Sequence, residues 1–378
     1  FLWKEGYKME DYSNMSYILE FTEVCNNRCS HCYNIWKMDG YKRKGKELTT
    51  EEWKEVIKKL KKETDCKSVA ITGGEPTLRA DFLEILQFID SIGIISILIT
   101  NGTRLNRDFI RDCVDRGVRL FELPLLGPTR EIHNEISGND CWDNVIESVV
   151  EIKSMNARSI MVFVATNKNI PYFEETMKLA IALDTGGMML NRFNPGGEGI
   201  KHMDELIPSA EDFEQILEIA NRLSFEYRYP VSCSVPIHPC IINMSKYPNL
   251  GTGFCAAGTD RAYYTISPQG MMRPCNHSPT ILGNFLTEKF ADMIHNPVMK
   301  EFASAIPPIC EPCPMAKECQ GGCKATAEVC YGSTREMDPF LKKNLHRHPL
   351  YRGTGEMQQE PVHEDEGDYS GEFSYSEK

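Results

Sequence analysis

The chain has 378 residues, a formal net charge of −12 and 15 cysteines. This length exceeds one typical domain and allows a core to be buried without disulfides. The acidic balance argues against nonspecific nucleic-acid binding, which depends on basic surface. No apolar run approaches the roughly 20 residues that span a bilayer, and the first residues lack a secretory core. We therefore expect a cytoplasmic protein with no membrane or nucleic-acid partner, whose cysteines bind metal or act in redox chemistry.

Strands and helices alternate regularly through the first half of the chain, after an N-terminal arm at 1–15. Thr49-Thr-Glu-Glu52 is typical of a capping box and is followed by apolar residues at helical spacing. The predicted strands are 16–24, 68–72, 94–100, 118–123, 160–165 and 188–193, and predicted helices begin near 50, 82, 107, 142 and 172. Six such alternations indicate an α/β fold in which a parallel sheet carries helices outside. Six repeats rather than eight indicate a partial, open (β/α)6 TIM-like barrel.

Polar and glycine residues follow the predicted strands at the point where each strand ends. They are Cys25, Gly73-Gly74-Glu75-Pro76, Asn101, Glu122 and Asn191-Arg192. In α/β barrels the working groups sit at the carboxyl ends of the strands. The sequence therefore predicts one functional rim built from these residues.

Three cysteines, Cys25, Cys29 and Cys32, are spaced C-x3-C-x2-C directly after the first strand. Thiolates are the usual ligands of iron–sulfur clusters, and three of them leave one iron of a cubane free for a small molecule. A zinc site short of one ligand and chance clustering are the alternatives. The motif resembles the signature of the radical S-adenosylmethionine (SAM) superfamily. That resemblance implies that SAM chelates the free iron and is cleaved to a 5′-deoxyadenosyl radical.

The resemblance extends to the predicted rim. Gly73-Gly74-Glu75-Pro76 is similar to the family's GGEP motif, which holds the methionyl amine of SAM; a simple turn is the alternative. Glycines allow the backbone to approach a ligand closely. His31 stands where the family usually has an aromatic residue near the adenine, although it could be a surface histidine. Asn101 is a further candidate SAM contact at the end of the third strand.

The fourth strand departs from the family pattern. The chain has Pro124-Leu-Leu-Gly-Pro128 where relatives often have S-L-D-G-P, and Ser137 where they have arginine. The usual contacts to the SAM ribose and carboxylate are therefore missing on this side. Glu122 and Arg192 are candidate substitutes, and the alternative for both is an ion pair at the barrel rim.

A second group of cysteines follows a predicted helix at 211–223 and a proline-rich link at 230–248. It contains Cys255, Cys275, Cys310, Cys313, Cys319, Cys323 and Cys330. Two zinc sites are the alternative reading, because C-x2-C pairs also bind zinc. The array resembles the SPASM domain, a small cysteine-rich module that binds two auxiliary 4Fe–4S clusters. That resemblance implies three 4Fe–4S clusters in all.

By the same resemblance, Cys310, Cys313, Cys319 and Cys330 would hold the distal auxiliary cluster. Cys255, Cys275 and Cys323 would hold the proximal one, which is one thiolate short. Its fourth iron would be open to substrate or filled by a spare residue such as Cys233 or Cys240. We interpret the other cysteines (Cys66, Cys113, Cys141) as buried reduced thiols.

These assignments divide the chain into five parts. They are the arm (1–15), the radical SAM core (16–207), a linking helix and loop (208–254), the SPASM domain (255–345) and an acidic tail (346–378). The tail is too polar to fold alone, and we expect it to be disordered.

Radical SAM proteins with a SPASM domain mostly modify peptides, so the resemblance implies an oxidoreductase-type maturase that acts on a ribosomally made precursor peptide. The change would be a crosslink, a thioether, a backbone change or a side-chain cleavage. Expected partners are a flavodoxin- or ferredoxin-type electron donor and a separate peptide-recognition protein, since the core follows too short an arm to include a leader-binding domain.

Three other functions stay open. A tetrapyrrole- or cofactor-processing enzyme is one, and a non-catalytic electron-transfer protein is another. A sulfatase-maturase activity is disfavoured, because Asn276 stands where those enzymes have an aspartate base. The neighbouring His277 is a weak candidate for a base near its ordinary pKa, with a structural hydrogen bond as the alternative.

Overall fold

Six parallel strands alternate with helices in the first half of a computed structural model, which describes residues 12–43 and 45–351. The strands are β1 (Ser16–Glu20), β2 (Ser68–Thr72), β3 (Ile95–Ile99), β4 (Val118–Pro124), β5 (Arg158–Ala165) and β6 (Met188–Arg192). The helices are α1 (Thr50–Thr64), α2 (Phe82–Ser91), α3 (Arg107–Asp115), α4 (Arg130–Ser137), α5 (Trp142–Ser154) and α6 (Phe173–Ala182). The predicted alternation is confirmed, with α4 as an additional short helix. Most of the predicted arm and tail lies outside the described residues.

Helix α1 begins where the sequence predicts. The Thr49 side chain accepts from the Glu52 N–H, and the Glu52 carboxylate accepts from the Thr49 N–H at 2.8 Å. This capping box satisfies N–H groups that the first turn leaves unpaired. Trp53 on the buried face packs against Phe21, with ring centroids 4.8 Å apart. The α1 face thus covers the outer side of β1.

The sheet continues at both edges beyond the six predicted strands. The further strands are β7 (Val231–Cys233), β8 (Leu250–Thr252), β9 (Tyr263–Ile266), β10 (Met271–Arg273) and β11 (Gly283–Asn284). The strand order is β11-β10-β9-β1-β2-β3-β4-β5-β6-β7-β8, so the sheet is open. The proline-rich link predicted at 230–248 therefore contains β7 and ends just before β8, and both strands are too short to leave a period in the sequence.

Strand β9 pairs in parallel with β1, with Ser16 opposite Tyr263. The C-terminal cysteine module thus begins inside the sheet of the core and is not a separate body. Two helices, α7 (Met203–Leu206) and α8 (Ala210–Tyr227), precede this module. The helices of the module itself are α9 (Phe290–Ile294), α10 (Pro297–Ser304), α11 (Ala316–Cys319), α12 (Lys324–Tyr331) and α13 (Pro339–Lys343). Within the described residues, none of the helices combines the length and the apolar character that a membrane crossing requires.

The two faces of the sheet differ in burial. Residues that point outward, such as Leu19, Phe121 and Phe163, are fully buried beneath the helices. Alternate residues point to the other face because side chains alternate along a strand. The inner positions include the partly exposed Ile18, Ala70, Ile97, Ile99, Glu122, Val162 and Val164, together with the polar Arg158 and Asn191 and the buried Glu20. The barrel interior is therefore not filled by its own side chains.

Candidate active site and cluster ligands

The three cysteines of the first motif lie together in the loop after β1. Burial, together with the nearby thiols of Cys32 and Cys25, raises the pKa of the Cys29 thiol to about 12. All three are free thiols. Thiolates at close range repel one another, which makes each thiol harder to ionise. A cation or cluster bound between them attracts all three thiolates, so closely spaced thiols favour such a ligand.

The C-terminal end of α4 holds this cysteine loop. The N–H of Arg28 donates to the Ser137 carbonyl at 3.2 Å, and the N–H of Ser30 donates to the Ile136 carbonyl at 3.1 Å. Gly138 has φ of 62°, and a Cβ there would lie 2.3 Å from the Arg28 carbonyl oxygen. In this chain the segment that departs from the family pattern thus supports the cysteine loop directly.

The Gly73-Gly74-Glu75 loop packs on the segment that leads into Cys25. The N–H of Gly74 donates to the Thr22 carbonyl at 2.7 Å, and the N–H of Glu75 donates to the Val24 carbonyl at 2.8 Å. A Cβ on Gly73 would lie 2.5 Å from the Thr22 oxygen, and one on Gly74 would lie 2.2 Å from the Val24 oxygen. Only glycine fits this approach. The loop is therefore placed beside the first cysteine motif.

The Glu75 carboxylate is fully buried and is occupied by groups of the chain itself. Its Oε1 accepts from the Thr77 and Thr100 hydroxyls at 2.5 and 2.8 Å, and its Oε2 accepts from the Asn101 N–H at 2.7 Å. Glu75 thus ties the end of β2 to the end of β3. Because both carboxylate oxygens already accept hydrogen bonds, a ligand amine would be bound by backbone carbonyls of the loop and not by the Glu75 carboxylate.

Asn101 lies against the first cysteine. Its side-chain amide nitrogen is 3.9 Å from the Cys25 sulfur and donates to the Asn26 side-chain oxygen at 2.8 Å. Because its backbone N–H donates to Glu75, Asn101 connects the glycine loop to the cysteine loop. The sequence predicted this residue at the rim, and the structure brings it together with Glu75 and Cys25.

His31 lies in a protein environment rather than on the surface. Burial lowers its pKa to about 4, so the ring is neutral at pH 7. Its Nδ1 is buried, and no described residue provides it with a hydrogen-bond partner. An unpaired buried polar atom costs about 1–3 kcal/mol. Such an atom beside the cysteine motif is suited to a polar group of a bound ligand.

Of the two residues proposed as substitute SAM contacts, only Glu122 faces the barrel interior. It stands on the inner face of β4, and burial raises its pKa to about 7. Arg192 instead is fully buried, and its guanidinium pairs with Asp338 at 2.7 Å and lies over the Phe340 ring. Its Nε donates to the Pro236 carbonyl at 2.9 Å. The structure supports the alternative interpretation of Arg192, an ion pair.

The proposed proximal thiols also lie together. Burial raises the pKa of the Cys275 thiol, and the Cys323 and Cys255 thiols raise it further. The Cys323 sulfur accepts from the Asn194 side-chain amide at 3.2 Å and from the Thr326 hydroxyl at 3.3 Å. The three cysteines therefore converge next to the end of β6.

Three of the four proposed distal thiols form another group. Burial, together with the Cys319 and Cys313 thiols, raises the pKa of the Cys310 thiol to about 12. The Cys330 sulfur is 4.0 Å from the Pro195 carbonyl oxygen, and burial, Asp338 and Cys323 raise the pKa of its thiol. The place of Cys330 in the distal set stays a prediction.

Tyr33 and His277 join the first cysteine motif to the second cysteine field. Their rings are stacked, and the Tyr33 hydroxyl accepts from the Asn276 side-chain amide at 2.8 Å. Burial lowers the pKa of His277 to about 4, and its Nε2 lies 3.2 Å from the Asn194 carbonyl oxygen. A carbonyl only accepts, so Nε2 carries the proton. This supports a structural hydrogen bond for His277 and not a base near its ordinary pKa.

Comparison with known families decides the identity of the chain. Residues 19–180 match the radical SAM superfamily, and residues 255–320 match the SPASM iron–sulfur cluster-binding domain. The chain belongs to the radical SAM superfamily. Together the two matches cover more than half of it.

Relatives and solved structures agree with this radical SAM assignment. PqqA peptide cyclase from Bradyrhizobium diazoefficiens is 24% identical over 278 residues, which are 71% of this chain and 68% of the relative. The homologous cyclase from Rhodopseudomonas palustris is also 24% identical, with 71% and 69% covered. The structure titled anSMEcpe with bound AdoMet superposes with a TM-score of 0.67 at 18% identity, covering 88% of this chain and 92% of that one. Streptococcus suis SuiB bound to precursor peptide SuiA gives 0.66 at 14%, covering 85% and 74%. These structures show the fold.

The residues of this radical SAM enzyme fit its cofactors, SAM and iron–sulfur clusters. The first three thiols neighbour one another, the glycine loop leaves no room for a Cβ, and the His31 Nδ1 lacks a partner. Within the described residues, no three His, Cys, Asp or Glu side chains are arranged to hold a single metal ion. The neighbouring thiols are therefore suited to a multi-iron cluster and not to a single ion.

Asp338 is a residue that sequence reasoning missed. It is fully buried and contacts four groups: Arg192, the His238 Nε2 at 3.2 Å, the Cys323 N–H at 3.0 Å and the Leu341 N–H at 3.0 Å. Burial alone would raise its pKa, but the charges of Arg192 and His238 and these contacts hold the pKa well below its usual range. Asp338 thus fastens the cysteine module to the barrel. Nothing in the local sequence around it signals this role.

Tyr263 is the second missed residue. Burial raises the pKa of its hydroxyl far above the usual range, and the thiols of Cys275, Cys255 and Cys323 add to the effect. Even so, 36% of the residue is exposed, so part of the ring is open to a ligand or to solvent. The alternation of β9 could have placed it on the inner face, had that strand been predicted.

Cys66, Cys113 and Cys141 are buried free thiols, as the sequence predicts. Cys233, a candidate spare ligand of the proximal cluster, is also buried. Burial raises the pKa of the Cys113 and Cys233 thiols to about 12. They pack as small apolar side chains.

Proposed function

We propose that this radical SAM/SPASM enzyme modifies a ribosomally made precursor peptide. The observation that carries the proposal is the similarity to PqqA peptide cyclase, which extends over 71% of this chain. SuiB, a structural neighbour, is described with a bound precursor peptide, which agrees with this substrate class.

The barrel interior is suited to a peptide side chain. Several inner positions of the strands are apolar and partly exposed, and Glu122 lies among them. Asn276 is an amide held by Tyr33, which gives no support to sulfatase maturation.

Each part of the rim has a task in this proposal. When bound, the reduced cluster and SAM supply a carbon-centred radical that removes a hydrogen atom from an unactivated carbon. Cys25, Cys29 and Cys32 hold the cluster, and the glycine loop with Asn101 positions the methionyl end of SAM. His31 contacts the adenine through its unpaired Nδ1. Glu122 faces the interior and, with a pKa of about 7, can hold or release a proton near the substrate.

The proposal includes three 4Fe–4S clusters: one at the first motif and two auxiliary clusters in the SPASM domain. The proximal thiols, Cys255, Cys275 and Cys323, leave one iron open to the substrate. Electrons come from a flavodoxin- or ferredoxin-type donor. A separate peptide-recognition protein delivers the precursor.

Anaerobic incubation of the reconstituted protein with SAM, dithionite and candidate precursor peptides tests the function. We expect 5′-deoxyadenosine together with a mass change in one peptide, and neither product from Cys29→Ala. If protein with full iron content forms no 5′-deoxyadenosine, the proposed enzymatic activity is contradicted. If 5′-deoxyadenosine forms without a peptide product and a tetrapyrrole is converted instead, the substrate is a tetrapyrrole and not a peptide.

A further inference from the structure

A cavity of about 330 Å³ lies between the segment that follows the first cysteine motif and the turn that joins β9 to β10. Its walls include Ile35, Trp36 and Lys42 on one side and Gln269, Met271 and Arg273 on the other. Trp36 comes four residues after Cys32, and Arg273 comes two residues before Cys275. The volume is that of a small ligand pocket. The cavity can therefore hold an amino-acid side chain beside the predicted SAM-binding motif.

Two N–H groups on residues that line this cavity have no hydrogen-bond partner among the described residues. They are the Trp36 Nε1 and the Arg273 Nε, and both atoms are buried. Arg273 is 1% exposed, and its other nitrogens are in use. Its Nη1 donates to the Asn276 and Ser278 carbonyls at 3.2 and 2.9 Å, and its Nη2 pairs with Glu20. A buried donor without a partner destabilises the protein, so an acceptor on a ligand would be bound favourably here.

The side-chain acceptors around the cavity are already occupied. Tyr41 and Gln269 donate to the Glu23 carboxylate at 3.2 and 2.8 Å. The Gln269 Oε1 accepts from the Ser267 hydroxyl at 3.3 Å. The Glu20 carboxylate, which also lines the cavity, is balanced by its ion pair with the neighbouring guanidinium. The wall groups identified as unpaired are therefore donors.

The segment on one side of the cavity is basic, although the chain as a whole has a net charge of −12. Five of the ten residues from 37 to 46 are lysine or arginine. Arg43 pairs with Glu23 at 2.5 Å, whereas Lys42 lines the cavity and is exposed to solvent. A local positive charge attracts anions from solution. The charge at this cavity thus favours the same kind of ligand as its donors, an anionic acceptor.

We propose that this cavity binds a carboxylate side chain of the precursor peptide, with the Trp36 N–H, the Arg273 Nε–H and the Lys42 ammonium as donors. A carboxylate only accepts hydrogen bonds and can accept several at once. A backbone carbonyl would also satisfy the N–H groups but would gain little from the ammonium. Ile35 and Met271 provide apolar wall for the methylenes of such a side chain. This inference rests on the proposed function and specifies one residue type of its substrate, which the cavity anchors.

Equilibrium dialysis of the anaerobic reconstituted protein tests the site with two probes that differ in one functional group. N-acetyl-glutamate α-amide carries a free side-chain carboxylate, and N-acetyl-glutamine α-amide is its neutral isostere. We expect the glutamate probe to bind about tenfold more tightly, because hydrogen bonds to an ionised acceptor are the stronger ones. Equal binding of the two probes, or no binding of either at about 10 mM, overturns the proposal.

Two variants locate the bound probe. Trp36→Phe keeps a ring but removes the N–H, and it should weaken binding of the glutamate probe about tenfold. Lys42→Ala changes an exposed residue, which leaves folding intact, and should weaken binding about two- to fivefold. Trp142→Phe is the matched control, since the Trp142 Nε1 is also buried and unpaired but does not line the cavity. Lys58→Ala is the control for the lysine, because Lys58 is exposed and pairs with a glutamate on its own helix.

The control variants should bind the glutamate probe as the wild type does. Binding that neither cavity variant weakens is adventitious, and that result overturns the proposal. Equal weakening by the cavity variants and their controls does the same.

The peptide that the enzyme modifies gives a second measurement. Each aspartate and glutamate of that peptide is replaced in turn by its amide. At one position we expect KM to rise about tenfold with kcat unchanged, as for the loss of an anchoring contact. In Lys42→Ala the same replacement should have a smaller effect, because both changes remove one interaction. The proposal is wrong if no acidic position raises KM, or if the replacement acts equally in wild type and Lys42→Ala.

The two measurements separate failure of the site from failure of the function. Dialysis involves neither SAM cleavage nor a peptide. A protein that binds the glutamate probe in the cavity but modifies no peptide keeps the carboxylate site and loses the proposed function. A protein that modifies a peptide but binds both probes equally keeps the function and loses the site.

Discussion

Tyr33 stacks on His277, with ring centroids 4.2 Å apart and ring planes 15° apart. Tyr33 follows Cys32 directly, and His277 lies two residues after Cys275. One pair of rings therefore joins the SAM-binding motif to the first cysteines of the SPASM domain. The Tyr33 hydroxyl strengthens the junction by accepting from Asn276 at 2.8 Å.

Substitutions at Tyr33 should separate the two contributions to this junction. Tyr33→Phe removes only the hydrogen bond and should lower the free energy of unfolding by about 1 kcal/mol. Tyr33→Ala also removes the ring and should cost about 3–5 kcal/mol, as for a large core aromatic. Thermal unfolding of the anaerobic holoprotein measures both. Equal losses for the two variants would show that the stacking contributes nothing.

Asp338→Asn should be among the most destabilising conservative changes. It leaves the buried charge of Arg192 without its carboxylate, which typically costs about 3–5 kcal/mol. The exposed pair of Arg130 and Asp143 gives the control, and Asp143→Asn should change stability by at most about 1 kcal/mol. Urea unfolding compares the two variants. A small effect of Asp338→Asn would mean that the cysteine module is fastened by other contacts.

The direction of the pKa shift of Asp338 determines how its contribution to stability depends on pH. Because the pKa of Asp338 is held below its unfolded value of about 4, its contribution is complete above that pH. It is lost only as the pH falls further. The stability difference between Asp338→Asn and wild type should therefore be constant from pH 5 to 8.

Glu122 should show the opposite pH dependence. Its pKa of about 7 lies above the unfolded value, so the folded chain binds the proton more tightly. The wild-type chain then loses stability as the pH rises from about 4.5 through 7. Glu122→Gln removes this titration and should gain in Tm relative to wild type across that range. If the Tm curves of the two proteins run parallel from pH 5 to 8, Glu122 does not take up a proton in this range in the folded chain.

His31→Ala should weaken SAM binding. If the adenine supplies the missing partner of the His31 Nδ1, the loss of one hydrogen bond near 1.4 kcal/mol raises the Kd about tenfold. Calorimetry with the anaerobic reconstituted protein measures it. His202→Ala is the matched control, because that side chain is 38% exposed and pairs only with nearby glutamates. An unchanged Kd for His31→Ala would remove His31 from the SAM site.

Gly74→Ala should disrupt the rim by steric overlap. The new Cβ would meet the Val24 carbonyl oxygen at 2.2 Å, and this oxygen belongs to the backbone, so it cannot rotate away as a side chain could. We expect a loss of about 1–3 kcal/mol from overpacking, together with weaker SAM binding. Gly253→Ala is the control, since nothing lies within 4 Å of its Cβ. Normal SAM binding by Gly74→Ala would show that the loop can move without consequence.

Local patterns in the sequence determined most of the core. The C-x3-C-x2-C motif, the GGEP loop and the capping box at Thr49 each depend on residues a few positions apart, so their chemistry is visible without the fold. The strand–helix alternation placed Cys25, Glu75 and Asn101 at one rim because parallel strands end on the same side. The sequence also identified the SPASM cysteines as a group.

Only the tertiary structure decided which distant residues meet. Arg192 and Glu122 looked alike at strand ends, yet one is paired with Asp338 and the other faces the interior. Strands β7, β8 and β9 are three or four residues long, too short for a period, and their place comes from pairing with longer neighbours. The turn at His238 packs on Gly322, which follows it by 84 residues in the chain. Spacing along the chain carries no information on such contacts, since they arise when separate segments are buried against one another.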